Sequence, residues 1–227
     1  MIIAVIPAYN ESTRIVRVVE DALRFAKHVF VVDDGSTDDT AACAERAGAT
    51  VITHIENCGP GAATMTGIEA ARRLGAHIVI TLDADGQHDP SDIPLLLKPV
   101  REEKADIVFA NRFSSTATGK QRNHIPFIRC IFNTIGNVIT LIAAGRWVED
   151  SQCGFKVFGP RALTELDLRM SGFEFCTEIV RESREHQWRI AQVPIKVTYS
   201  KYTLAKGQSF ASGIQTALKI LLRSFLR

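Results

Sequence analysis

The chain has 227 residues, 46% of them hydrophobic, and its 27 Lys and Arg against 25 Asp and Glu leave a net charge of +2. That is enough apolar material for the core of one α/β domain, and no nucleic-acid partner is expected. The five cysteines, Cys43, Cys58, Cys130, Cys153 and Cys176, are an odd set without a Cys-x-x-Cys pair, which excludes a disulfide framework and a structural zinc site.

Short apolar, β-branched runs at residues 2–6, 29–32, 50–55, 77–82 and 106–110 predict strands, and the segments between the first four are mostly amphipathic enough for helices. Such alternation describes βαβ units. Continuously apolar strands belong in a parallel sheet covered on both faces, so the first half predicts a doubly wound, Rossmann-like sheet. Ligands gather at the carboxyl ends of such strands. The polar motifs stand there: Pro7-Ala8-Tyr9-Asn10-Glu11 follows the first run, Asp33-Asp34-Gly35-Ser36 the second, Asn57-Cys58-Gly59-Pro60-Gly61 the third and Asp83-Ala84-Asp85 the fourth. Farther on, Ile128, Ile131, Phe132, Ile135, Val138, Ile139 and Ile142 share one helical stripe, with Asn133, Asn137 and Thr140 on another. A second amphipathic stretch near the end carries Phe210, Ile214, Leu218, Leu221 and Phe225 opposite Lys219, Arg223 and Arg227. Neither reads as a membrane span, because Arg129, Asn133 and Asn137 interrupt the first and the second is short and charged. The start of the chain shows no basic leader or cleavage site, so a cytoplasmic location is expected.

The charges are unevenly spread. No acid occurs from 107 to 148 or from 186 to 227, while Arg112, Lys120, Arg122, Arg129 and Arg146 stand in the first stretch. A surface that meets anions, either substrate phosphates or lipid head groups, accounts for this, and a soluble face that lacks acids is the competing reading.

Asp83 and Asp85 leave a strand two residues apart, and two carboxylates so placed repel unless a cation lies between them. Oxygen ligands completed by substrate phosphates suit Mg²⁺ or Mn²⁺, and no His/Cys cluster competes. Asp34, at the end of the second strand, is placed to bond a ribose or a base N–H. The glycines from Asn57 to Gly67 let backbone approach a ligand but match neither a dinucleotide fingerprint nor a Walker loop.

Four ordered motifs, Pro7-Ala8-Tyr9-Asn10-Glu11, Asp33-Asp34-Gly35-Ser36-Thr37-Asp38, Asp83-Ala84-Asp85-Gly86-Gln87-His88-Asp89-Pro90 and Asp150-Ser151-Gln152-Cys153-Gly154-Phe155, resemble the family 2 glycosyltransferases of GT-A fold. Within that family they are similar to the branch of the dolichol-phosphate mannose synthases and polyprenyl-phosphate glycosyltransferases, over residues 2 to 200. The resemblance implies that Pro7, Tyr9, Glu11, Val32 and Asp34 hold the nucleoside, with Asp83 and Ala84 touching the nucleotide further. It also implies that Asp85 and Gln87 ligate the metal, assisted by Asp83. Arg112 matches an arginine that meets the phosphates or sugar, Arg122 a second arginine on the acceptor loop, and Glu178 an acid near the sugar. Where the family carries a phosphate-binding Arg/Lys cluster this sequence departs from it and reads Tyr199-Ser200-Lys201-Tyr202, which leaves the contact to Lys201 or, farther on, Lys206.

Asp150 stays open between two roles. For a sugar hydroxyl acceptor it is the best candidate base. For a polyprenyl phosphate the nucleophile is already an anion, because a second phosphate pKa lies near 6, and Asp150 then positions the loop or the sugar. The expectation is metal-dependent, inverting transfer of a hexose from a GDP-mannose- or UDP-glucose-type donor to a polyprenyl or dolichyl phosphate. The alternative is a soluble saccharide or protein acceptor with Asp150 as base. One domain is expected: a nucleotide-binding half over 1–110, an acceptor half over 111–200 and an amphipathic segment over 201–227. The amphipathic helices place it peripherally on the cytoplasmic membrane face, where a membrane-anchored partner subunit is compatible with the reading.

Overall fold

All five predicted apolar runs form strands, and two more strands from the less regular second half join the same sheet. The computed structural model describes residues 1–114 and 127–197, and of 127–129 the backbone alone. The expectations for Arg122, Lys201, Lys206 and the amphipathic segment 201–227 lie outside the described residues. In chain order the elements are β1 (Ile2–Ala8), α1 (Ile15–Leu23), β2 (His28–Asp33), α2 (Thr40–Arg46), β3 (Thr50–Thr53), α3 (Pro60–Arg73) and β4 (Ile78–Thr81). A 3-10 turn at Pro90–Asp92 leads into α4 (Ile93–Arg101) and β5 (Ile107–Asn111). Then come α5 (Phe127–Ala144), β6 (Lys156–Phe158), α6 (Pro160–Glu165), α7 (Phe175–Glu185) and β7 (Ile190–Pro194).

The sheet order is β3-β2-β1-β4-β6-β5-β7. Every pairing is parallel except those of β6, which runs antiparallel to β4 and β5. Alternate residues feed opposite cores, as the period of two requires. Ala4, Ile6, Val29, Val31, Val108 and Ala110 pack under α1 and α4, while Ile3, Val5, Phe30, Ile107 and Phe109 pack under α3 and α7.

The topology fixes where a ligand can sit. From β1 the chain winds outward through β2 to β3, then crosses back to put β4 on the other side of β1. The carboxyl ends of β1 and β4 therefore flank the switch point at which open α/β sheets bind ligands. Reversed β6 brings a further loop to this edge: Lys156 pairs with Thr81 and Phe109, so residues 150–155, just before β6, stand beside the ends of β4 and β5.

Helix α5 is amphipathic as its stripes predict, and its polar stripe faces inward. Asn137 and Thr140 are buried, whereas Ile131, Phe132, Ile135, Val138, Leu141 and Ile142 are exposed. Among the described residues no helix is long and apolar enough to cross a membrane.

Candidate active site

The first wall of the crevice comes from β1, β2 and β3. Beyond β1 the chain turns at Asn10, whose φ of +54° is one that asparagine tolerates. The Asn10 N–H donates to Ser36 Oγ at 2.9 Å, and its Oδ1 accepts from Thr37 N at 2.8 Å, which ties together the loops after β1 and β2. Pro7 is half-buried within β1, Tyr9 is 42% exposed just beyond it, and Glu11 is buried with its N–H on Thr40 Oγ1 at 2.8 Å. Val32 lies wholly inside, so it can offer a neighbour only backbone.

Asp34 is buried and its carboxylate organises the third strand end. It accepts from Cys58 N at 2.9 Å, Gly59 N at 2.8 Å and His54 Nδ1 at 2.7 Å. A carboxylate has about four acceptor positions, so three donors leave room for one ligand N–H. His54 is a residue that the motif reading passed over; its other nitrogen meets Thr66 Oγ1 on α3 at 3.0 Å. Gly59, at φ +98°, starts α3 where a Cβ would press on the backbone of Ser171.

Asp83 and Asp85 leave β4 beside the switch point. Burial, and then the negative charge of Asp83, raise the Asp85 carboxyl above its ordinary range. Asp85 accepts from the Gln87 backbone N–H at 2.9 Å and from its side-chain amide, which leaves the Gln87 amide oxygen as the free acceptor end. Two carboxylates and an amide oxygen at one strand end fit a hard divalent cation such as Mg²⁺ or Mn²⁺, and the like charges are relieved by one. Ala84 between them is buried.

The loop before β6 closes over this pair. A Cβ added to Gly154 would come 2.7 Å from Asp83 Oδ2 and closer still to Oδ1, so only glycine lets the carboxylate lie there. Thr81 Oγ donates to the Gly154 carbonyl at 2.6 Å, and the buried Lys156 Nζ donates to the Cys153 carbonyl between the rings of Phe109 and Phe175. Gly154→Ala is therefore expected to push Asp83 out of place and lower turnover by about a hundredfold, while the melting temperature moves little because the displaced group is the end of a side chain. Steady-state kinetics beside a thermal melt check this; unchanged turnover would show that Asp83 needs no such seat.

Asp150 is fully buried and bound to Arg112 through both oxygens. Oδ2 accepts from Arg112 N at 3.0 Å and Nε at 2.8 Å, and Oδ1 from Nη2 at 2.8 Å. This fork geometry is the strong, directional form of the pair. The inward polar stripe of α5 holds the same loop. Asn133 and Asn137 donate to the Glu149 carbonyl, Ser151 donates to Asn137 Oδ1 by N–H and Oγ, and Thr140 meets Ser151 and Thr177.

Glu178 sits in the first turn of α7, buried, where Oε2 accepts from the backbone N–H groups of Arg169 and Met170 at 3.0 and 2.8 Å and Oε1 from Arg181 at 3.2 Å. It holds the 169–172 segment, whose Ser171 carbonyl in turn accepts from Gly61 N at the start of α3. After β7 the chain returns to the site, and Val197 bridges to His88, four residues before Lys201.

These strand ends, with two carboxylates beside the switch point of a mostly parallel sheet, define an α/β enzyme of GT-A type. The chain belongs to Glycosyl transferase family 2, whose model matches residues 3–165, and it is a glycosyltransferase. It is 31% identical to the UDP-N-acetylglucosamine–dolichyl-phosphate N-acetylglucosaminyltransferase of Methanococcus voltae, over 98% of this chain and 95% of that one. It is 26% identical to the polyprenol monophosphomannose synthase of Mycolicibacterium smegmatis, over 95% of this chain and 83% of that one. Among solved structures it superposes on glucosyl-3-phosphoglycerate synthase of Mycobacterium tuberculosis with Mn²⁺, UDP and glucosyl-3-phosphoglycerate, at a TM-score of 0.70 and 20% identity, covering 99% of this chain and 79% of that one.

Proposed function

We propose that the chain transfers a hexose, with inversion, from a UDP- or GDP-sugar to a polyprenyl phosphate at a membrane surface. The observation that carries the choice of acceptor is the Asp150–Arg112 pair. Both Asp150 oxygens are committed to Arg112 inside the protein, so this carboxylate is poorly placed to take a proton from a hydroxyl. A phosphate acceptor needs no base: one of its anionic oxygens attacks the anomeric carbon while the bond from that carbon to the diphosphate breaks. The names of the two relatives, one a dolichyl-phosphate transferase and the other a polyprenol monophosphomannose synthase, support the same acceptor.

In this reading residues 1–110 hold the donor and 111–200 meet the acceptor. Tyr9, Glu11 and Asp34 with its loop hold the nucleoside, while Asp83, Asp85 and Gln87 hold Mg²⁺ or Mn²⁺ against the diphosphate. The cation, when bound, neutralises charge on the departing nucleoside diphosphate. Arg112, kept in one orientation by Asp150, faces the same developing charge, and Lys201 or Lys206, outside the described residues, is the further phosphate contact that the family resemblance implies.

The exposed apolar face of α5, six large side chains with Trp147 beyond its end, supports a peripheral seat on the cytoplasmic membrane face. Replacing Phe132 and Ile135 together by Asp is expected to lower binding to vesicles of anionic lipid at least about tenfold, since each residue loses apolar burial and gains a charge. Co-sedimentation measures this, and undiminished binding would move the membrane contact elsewhere.

The deciding experiment offers labelled UDP-GlcNAc, UDP-glucose and GDP-mannose with Mn²⁺ to polyprenyl phosphate, to soluble sugars and to protein acceptors. Label is expected in the lipid phase. Label confined to a soluble acceptor would overturn the proposal.

A further inference from the structure

His88 follows the metal motif by one residue, and the proposed mechanism leaves it without work. Its side chain is 1% exposed, tilted against Phe155 at 5.3 Å between ring centres, with backbone paired to Val197. Its Nε2 lies 3.5 Å from the thiol of Cys153. Its Nδ1 has no hydrogen-bond partner, and Asp83 Oδ2 stands 3.7 Å away. A buried polar atom without a partner is rare in a folded protein and calls for a reason.

The surroundings decide which nitrogen carries the proton. Cys153 is fully buried and its thiol is pushed up to about 12, chiefly by burial, so it keeps its S–H and cannot serve as a nucleophile. A Cys–His–Asp order here is therefore not a catalytic triad. An S–H that donates to Nε2 leaves the proton of the neutral ring on Nδ1, where it faces the Asp83 carboxylate rather than a lone pair doing so. A shift of roughly 0.8 Å closes the 3.7 Å gap to a normal hydrogen bond. Gly154 bounds the same carboxylate on its other side.

We propose that His88 is a positioning residue: through Nδ1–H it fixes the orientation of the Asp83 carboxylate, with the Cys153 thiol selecting the tautomer, and so sets the affinity of the crevice for a divalent cation. The inference rests on the metal-dependent reading of the Asp83 and Asp85 strand end. Partners that orient metal-binding groups in this way commonly alter affinity 10- to 100-fold when removed.

The test titrates Mn²⁺ into the full-length protein in the presence of UDP, and again of GDP, by electron paramagnetic resonance of the free ion. Three variants separate the two nitrogens. His88→Phe keeps the ring packing without either nitrogen, His88→Gln places an amide near the Nε2 position, and His88→Asn places one near the Nδ1 position. Phe and Gln are expected to weaken Mn²⁺ binding about 10- to 100-fold, with Asn recovering most of it. Nucleotide affinity without metal should change less than about twofold in all three, which a general disruption of the site would not produce. Wild-type Mn²⁺ affinity in His88→Phe, or equal losses in Asn and Gln, overturns the proposal; if His88→Phe fails to fold, the Asn and Gln comparison decides alone. A wild-type protein that takes up no Mn²⁺ with either nucleotide would sink the metal-dependent reading and this one with it. Normal wild-type binding with indifferent variants would sink only the role of His88.

Discussion

Asp85→Asn is expected to lower glycosyl transfer by about a thousandfold or more in saturating Mn²⁺, with the melting temperature unchanged or slightly raised. The substitution keeps the shape of the side chain and removes one of the two charges proposed to hold the cation. Stabilising the departing diphosphate through a metal is worth several kcal/mol, and about 4 kcal/mol is a factor near a thousand. The stability side has the opposite sign. Burial and the neighbouring charge of Asp83 raise the Asp85 carboxyl, so its ionised form at neutral pH opposes folding in the free protein, and a neutral amide relieves that opposition. A residue whose removal leaves stability intact and abolishes turnover has been kept for function. Transfer assays at increasing Mn²⁺ beside calorimetry check both halves; more than a tenth of wild-type activity in excess metal would remove Asp85 from the metal site.

Much of this edge was readable in the sequence because parallel strands report themselves twice. They are continuously apolar, since both faces are covered, and they end in polar motifs, since ligands bind at their carboxyl ends. The runs at 2–6, 29–32 and 77–82 and the acids that follow them carry both signals, the run at 106–110 ends in Asn111-Arg112 instead, and β1, β2, β4 and β5 stand there. Strand β6 carried neither. Its three residues, Lys-Val-Phe, include a lysine that is buried only because Nζ finds the Cys153 carbonyl and two aromatic rings. Without β6 the sequence had no way to set Gly154 against Asp83, or His88 and Cys153 against each other, because those contacts exist only when an antiparallel strand returns beside β4. Periodicity likewise found α5 and could not say which stripe faces in. Apolar stripes face the core by default, yet the asparagines of α5 have loop carbonyls and hydroxyls to bond, and the apolar side is left for another environment.

Asp150→Asn separates the two roles that the sequence left open. As a general base, Asp150 would contribute roughly 10²- to 10⁴-fold, and its loss would abolish the acidic limb of the pH–rate profile. As an anchor, it neutralises an Arg112 side chain that is only 15% exposed. Breaking a buried pair by removing one partner costs about 3–5 kcal/mol, and the partial exposure of Arg112 points to the lower end. At about 2–4 °C per kcal/mol for a chain of this size, the melting temperature should fall by roughly 6–12 °C. Turnover should fall too, because Arg112 loses its fixed orientation, but the acidic limb should persist near pH 6, where the acceptor phosphate takes up its second proton. A double variant, Asp150→Asn with Arg112→Met, should regain part of the melting temperature without regaining turnover, since the guanidinium whose ion pair was broken is gone and the group proposed to face the diphosphate is gone with it. Stability unaffected by Asp150→Asn, together with a vanished acidic limb, would restore Asp150 as the base and turn the acceptor from a phosphate to a hydroxyl.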